Sequence, residues 1–441
     1  MEFRYGLDDR PPLWESILVG LQWCAIIIPW IIILGKIAGV FHFENADDRT
    51  VYLQKLFFVA SVFILVQVLS GHRLPLVFGP STVILIGIIS SQGFGTGAIY
   101  TAALIGSVLL TVCAVTGFFG TLQKLFTPRV VAVVLLLIAF CLMPTVLRLL
   151  TETRASVPVM ANLLFALLLV LTMLVMHRFL NGIGRSVIIV SAMSAGAIIY
   201  FTIFPGAFDR GAMEGAAPLA SFLTHLTTSF SFDPGLSLSF VICFIALSIN
   251  DLGSIQSMNA LAAPPDMARR VDRGILVTGI GNIMSSLLSV IGQVNYSLSL
   301  GVVLSSGCLS RWTLVPAAAI LLVLAFSPLA IAFLGNVPAV VIGASLIYVL
   351  STQVAAGLMV LFGAARKLEL QDGIVVGIPL LAAVVVAFLP ADIVSAFPPL
   401  IRPIAGNSFV VGVLAVLFLE HILFRQTAMP DSTREGADFP P

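Results

Sequence analysis

Apolar residues run along this chain in blocks of about 17–25, the length that crosses a bilayer as a helix. They lie near 15–39, 52–70, 98–120, 130–150, 158–180, 186–205, 238–258, 274–292, 312–334, 338–362, 373–391 and 405–424. Two further stretches are too short or too interrupted for ordinary spanning helices. In LPLVFGPSTVILIGIISS, Gly79 and Pro80 break the run; in GQVNYSLSLGVVLSSG, polar and apolar positions alternate from Asn295 to Ser299. With these two as crossings, the pattern predicts fourteen elements in an all-α polytopic membrane protein.

Composition agrees with that class. Hydrophobic residues make up 59% of the chain and charged residues 10%, and the mean hydropathy is +1.10, too little charge to wet the surface of a soluble domain. A net charge of +1 without a long basic run excludes nucleic acid as an expected partner. The five cysteines have no CxxC spacing and are expected to be packing residues. The start of the chain, MEFRYGLDDRPPLWES, has acids on both sides of its arginines and no small-residue cleavage site, so no signal peptide is expected. With both termini placed in the cytoplasm, fifteen of the 22 Lys and Arg fall inside and seven outside, the bias that a correct span count should give. The expected location is the cell's inner membrane, with multiple passes.

The two interrupted stretches stand third in each half when the chain is divided between spans seven and eight. Seven is odd, so the second half enters from the opposite side and the halves would be inverted repeats. Matched interruptions in inverted halves point to a transporter's binding site. Non-helical backbone at bilayer depth is tolerated only where protein or a water-filled cavity satisfies its polar groups. Short extended pieces that cross and then start half-helices near Ser81 and Ser299 would aim free N–H donors at a polar solute. The alternative is a pair of packing elements without a ligand.

The most polar intramembrane stretch is IALSINDLGSIQSMN, residues 245–259. On a helix, Asn250, Asp251, Ser254 and Ser257 share an arc of about 120°, expected to face a cavity. Asp251 is the only acid placed well inside the apolar region, and intramembrane carboxylates are costly enough to be functional candidates by default. Its other reading is a structural hydrogen-bonder to a neighbouring helix. Asn295 and Tyr296 suit either stacking on a planar ligand or bracing the crossing. His42, His72, His177, His225 and His421 lie in loops or at span ends, and no HExxH, GxSxG or Walker pattern occurs, so neither an enzyme nor an ATP-driven pump is expected, nor any cofactor or bound metal. GHRLP and FTPR read as membrane-edge anchors, and Glu420 and His421 as residues snorkelling to the interface.

The segments RGILVTGIGNIMSSLLS, VNYSLSLGVV and VPAVVIGASLIYVLSTQVAAG, together with LPLVFGPST, resemble the nucleobase–ascorbate transporter family of xanthine, uracil and ascorbate permeases. Of the family's signature in span twelve, Val337, Pro338, Val341, Ile342, Gly343 and Gly357 fit, while Ala344 and Leu350 depart. The resemblance implies a uracil-permease-like fold with a core domain at 1–125 (segments 1–4) and 236–336 (segments 8–11). It likewise implies a gate domain at 126–235 (segments 5–7) and 337–441 (segments 12–14 and the tail), alternating access, and a homodimer joined through the gate.

The same resemblance places a nucleobase-like solute at Gln22, Gly79, Pro80, Ser81, Asn250, Ser254, Tyr296, Ser297, Leu298 and Ser299. The family's acids are missing here: Asn250 stands for a glutamate, Thr278 for an acid in span nine, Leu298 for an acid or amide in span ten, and Ser299 for an asparagine. Asp251 is then expected to take over proton coupling, although one step along a helix turns a side chain by about 100°. The rival expectations are an uncoupled facilitator or channel, or a carrier of another small solute or anion.

Overall fold

The computed structural model describes residues 3–424 except 92, 118–124, 126, 153–156, 181–187, 209–212, 214–216, 223–228, 263, 265, 297–298, 365–368 and 399–400. In chain order its elements are α1 (Leu13–His42), α2 (Ala46–Leu69), β1 (Phe78–Pro80), α3 (Thr82–Ile89), α4 (Thr96–Val115), α5 (Pro128–Cys141), α6 (Met143–Thr151), α7 (Val159–Phe179) and α8 (Ile188–Ile203). There follow α9 (Pro234–Ala262), α10 (Met267–Leu287), β2 (Gln293–Asn295), α11 (Ser299–Ser306), α12 (Leu314–Ala325), α13 (Pro328–Gly335) and α14 (Ala339–Ala364). The last are α15 (Leu370–Ala387), α16 (Ala391–Ser395), α17 (Arg402–Ala405) and α18 (Ser408–Phe418), which ends in a π-turn at Leu419–Leu423.

Among the described residues, eight helices are long and apolar enough to cross a bilayer, or nine with one bent pair counted as a span. Ile188–Ile203 and Ser408–Leu423 are apolar but shorter. Each predicted block holds a helix or a helix pair, and the pairs have local causes. The block at 312–334 is not one straight span: Arg311–Ala325 and Pro328–Gly335 meet at 96°. Pro328 has no N–H to continue the helix, and Ser327 caps the new start by accepting from the Ala330 N–H at 3.4 Å. The block at 130–150 is divided at Leu142, just before Pro144.

The helices pack in two sets. In one, α4 lies on α9 and α10, and α12 on α1 and α2; in the other, α5 lies on α14, α15 and α18, and α14 also on α7. A cluster of charges ties the second set together at one end. Arg129, in the first turn of α5, bonds Asp372 of α15 at 2.5 Å and Glu420 of the π-turn at 3.3 Å, and the two acids are 8% and 10% exposed. The expected anchor FTPR and the snorkelling Glu420 are therefore one structural clamp, and His421 is turned to the Leu125 carbonyl at 3.1 Å. Removing one partner strands the others in a poorly solvated place, so Arg129→Ala is expected to cost on the order of 3 kcal/mol. A thermal unfolding series on the purified protein checks this.

Candidate functional site

The two interrupted stretches meet in the first set of helices. β1 pairs antiparallel with β2 in the register Phe78↔Asn295, Gly79↔Val294 and Pro80↔Gln293. The ladder extends through Ser81 N–H to Gly292 O at 2.7 Å and Tyr296 N–H to Val77 O at 2.9 Å. Three residues a side cannot satisfy the flanking peptides, and side chains from distant elements complete the accounting that a low-dielectric setting requires. Asn282 of α10 brackets Gln293, accepting from its N–H at 2.8 Å and donating to its carbonyl at 2.9 Å. Ser299 accepts the Val77 N–H, and Tyr52 the Ile291 N–H. Losing both Asn282 bonds leaves two buried backbone groups unpaired, each costing about 1–3 kcal/mol. Asn282→Leu is accordingly expected to lower the melting temperature more than any conservative apolar swap in α10, as differential scanning fluorimetry would show.

A half-helix leaves from each strand. Ser81 caps α3, its hydroxyl accepting from the Ile84 N–H at 3.5 Å, while the Thr82 and Val83 N–H groups have no partner among the described residues. Tyr296 lies across the crossing. Its hydroxyl donates to Pro80 O at 2.7 Å, its ring stands 5.6 Å from that of Trp30 in α1, and it fills the space that a side chain on Gly79 would need. Trp30 is 4% exposed, and its Nε1 donor is unpaired among the described residues.

The polar arc on α9 is divided. Asp251 and Ser254 are turned inward and buried, whereas Asn250 is half-buried and Gly253 and Gln256 are exposed. Ser254 bonds the Asn250 carbonyl at 3.0 Å. Asp251 is fully buried against β2. Its Oδ1 accepts from Asn295 twice, from the main-chain N–H at 2.9 Å and the side-chain Nδ2 at 2.7 Å; its Oδ2 has no partner among the described residues. Asn295 Oδ1 in turn meets His72 Nε2 at 3.0 Å.

His72, placed at a membrane edge by the sequence, is fully buried. The turn that holds it is tight: Arg73 adopts φ +55°, a left-handed conformation that a non-glycine residue keeps only when its surroundings over-determine it. Arg270 supplies that hold, its Nη1 donating to the carbonyls of His72 at 3.2 Å and Arg73 at 2.9 Å. Its Nε bonds Asp266 at 2.7 Å, which keeps that exposed carboxyl below the usual range. Gln67 closes the group, accepting the His72 N–H and donating to Gly274 O and Thr278 Oγ1.

Of the other sequence candidates, Gly79, Pro80, Ser81, Tyr296 and Ser299 meet at the crossing. The Ser299 hydroxyl accepts from the Val77 N–H and donates to Tyr296 O at 2.6 Å, so it braces the strands and keeps one lone pair for a further donor. Gln22 is half-buried with its Oε1 unpaired among the described residues. Ser297, Leu298 and the Ser257 side chain lie outside the described residues. The sequence assigns no site role to Trp30, Gln67, His72 or Asn282: Trp30 and Gln67 sit in apolar runs, His72 in the GHRLP stretch read as an anchor, and Asn282 in RGILVTGIGNIMSSLLS, which carries the family resemblance without marking that residue.

Residues 14–392 match the family model for xanthine and uracil permeases, described as Permease family. The chain belongs to that family. Similar proteins include a putative purine permease of Clostridium perfringens, 24% identical over 95% of this chain and 92% of its own length. The uric acid permease PucK of Bacillus subtilis is 24% identical over 95% of this chain and 97% of its own. The xanthine permease XanP of Escherichia coli K12 is 22% identical over 81% and 82%. Among solved structures, the transmembrane domain of the cyanobacterial bicarbonate transporter BicA superposes with a TM-score of 0.62 at 16% identity, covering 85% of this chain and 96% of that one. Murine Slc26a9, an anion transporter, gives 0.56 at 14% identity, covering 92% of this chain and 68% of that one. This permease is thus a multi-pass membrane transporter and not an enzyme, and it shares its fold with anion carriers.

Proposed function

We propose that this permease imports an oxopurine, such as xanthine or uric acid, together with a proton by alternating access. The observation that carries the reading is the β1–β2 crossing, where donors without a partner among the described residues and an aromatic pair sit on neighbouring elements. An oxopurine is flat, with ring carbonyls that accept and ring N–H groups that donate. The Thr82 and Val83 N–H groups and Trp30 Nε1 supply donors for those carbonyls, and the Trp30–Tyr296 pair supplies a face for stacking. Relatives named for purine, uric acid and xanthine transport support this class of solute over an anion or an uncoupled leak.

Asp251 is the coupling residue in this reading, a buried carboxylate whose Oδ2 has no hydrogen-bond partner among the described residues, beside the crossing strands. The set of helices around the crossing serves as the core, 1–125 and 236–336, moving against a gate of 126–235 and 337–441. Fourteen elements in two inverted repeats, cytoplasmic termini in the inner membrane, and a homodimer joined through the gate complete the proposal. Asn250, on the half-buried flank of α9, and Gln22 are further candidates for solute contact, as are Gly79, Pro80, Ser81, Ser254, Tyr296, Ser297, Leu298 and Ser299.

The test is uptake of radiolabelled xanthine, uric acid and uracil into proteoliposomes with and without an inward proton gradient. Accumulation of an oxopurine that requires the gradient is expected. Uptake that merely equilibrates, indifferent to the gradient, would indicate a facilitator and overturn the coupling.

A further inference from the structure

The hydrogen bonds around Asn295 fix their own polarity. His72 Nδ1 lies 2.9 Å from the Leu74 N–H, a group that can only donate, so Nδ1 must accept. The imidazole is then neutral with its proton on Nε2, and that proton can go only to Asn295 Oδ1. With the oxygen end of the amide so engaged, its NH2 end is turned to Asp251 Oδ1, in line with the main-chain N–H of the same residue. His72 therefore orients Asn295, and Asn295 brings two donors to one carboxylate oxygen.

We infer that Asn295, held by His72, ties the position of β2 to the charge on Asp251. The inference rests on the proposal that Asp251 is the coupling acid. Hydrogen bonds to an ionised acceptor are roughly twice as strong as neutral ones, so the charged carboxylate grips the end of β2 and a proton on it relaxes both bonds together. The next residue, Tyr296, carries the ring on Trp30 and the hydroxyl on Pro80. Its carbonyl accepts from Ser299 at the start of α11. A proton reaching Asp251 thereby loosens the strand whose next residues form the solute site. Asn295 and His72 are positioning residues in this scheme.

Among the described residues, no second charge stands close enough to perform the same task. Asn295 on β2 and Thr278 on α10 are neutral, and His72 stands one hydrogen bond further. The charged groups on elements packed against α9 are held at element ends: Arg269, Arg270, Asp272 and Arg273 in the first turns of α10, Arg402 on the carbonyls of Ser395 and Phe397, and Arg129 on its two acids. The ionisable side chains of α4 are Tyr100 and Cys113, and α3 has none.

Trp30 offers a readout independent of transport. The full chain in nanodiscs is titrated with acid, and the fluorescence change lost in Trp30→Phe is assigned to Trp30. A single transition is expected, absent in Asp251→Asn. Asn295→Ala removes the amide donor and keeps the main-chain one, and its transition is expected about one pH unit or more to the alkaline side, since fewer donors favour the protonated acid. His72→Phe should move it the same way; His72→Gln, whose amide still reaches Asn295 Oδ1, should stay near the parent and guards against a variant that merely fails to fold. Midpoints unmoved in both Asn295→Ala and His72→Phe, or a transition surviving in Asp251→Asn, would overturn the latch. Proton-driven uptake through Asp251 alongside unmoved midpoints removes the latch and leaves the proposed function; the expected shifts in a protein that takes up no oxopurine leave the latch and remove the solute.

Discussion

Asp251→Asn is expected to collapse accumulation of solute to the external concentration. Asparagine keeps the shape of the side chain, and its Oδ1 can still accept the two Asn295 donors, so the crossing still forms, held by the weaker bonds of a neutral acceptor as in the protonated acid. What it loses is the ability to carry a proton. For one proton per solute, each pH unit of gradient is worth about 1.4 kcal/mol, a tenfold accumulation ratio. The parent should approach that ratio in proteoliposomes, and the variant should remain near one at every gradient. A variant that still accumulates solute would place the coupling group elsewhere.

The second large effect is steric. A Cβ on Gly79 would stand 2.7 Å from the Tyr296 hydroxyl and 3.0 Å from its Cζ, closer than side-chain atoms approach one another. Tyr296 would have to leave Pro80 O, and the strand carrying Gly79 is only three residues long with few bonds to spare. Overpacking of this kind costs about 1–3 kcal/mol, here concentrated on the crossing. Gly79→Ala is expected to abolish uptake while much of the protein still reaches the membrane. The doubly substituted Gly79→Ala, Tyr296→Phe protein, lacking the nearest atom, should recover part of the uptake if the clash is the cause. Equal losses in both would point to a requirement for glycine other than space.

Much of this architecture was legible because length and hydropathy dictate it. A run of about twenty apolar residues has one economical state in a bilayer, and Gly79–Pro80 and the alternation after Asn295 show where that state fails. The family could be reached from LPLVFGPST and the span-twelve pattern. The bend after Ala325 was not legible, since Phe326–Ser327–Pro328 interrupts the helix within an unbroken hydropathy block.

The His72–Asn295–Asp251 chain of hydrogen bonds was hidden for another reason. His72 reads as a loop residue beside Arg73, and its partner Asn295 lies 223 residues away; no local pattern joins a turn after α2 to a strand in the other half. Trp30 looks like filler among isoleucines, and Asn282 like an ordinary polar position in α10. Asp251 could be singled out because an acid in an apolar run is costly wherever it points, but its direction came only with the fold. Its inward turn, away from exposed Gly253 and Gln256, sets it against the crossing strand, where it accepts from Asn295.

The measurement closest to the central claim is proton movement itself. Proteoliposomes loaded with a pH-sensitive dye and held without an imposed gradient are given xanthine or uric acid, and internal pH is followed as solute enters. The account predicts acidification that tracks uptake in the parent protein and is absent in Asp251→Asn. Solute entry with no change of internal pH in the parent, or acidification that persists without the carboxylate, would contradict it.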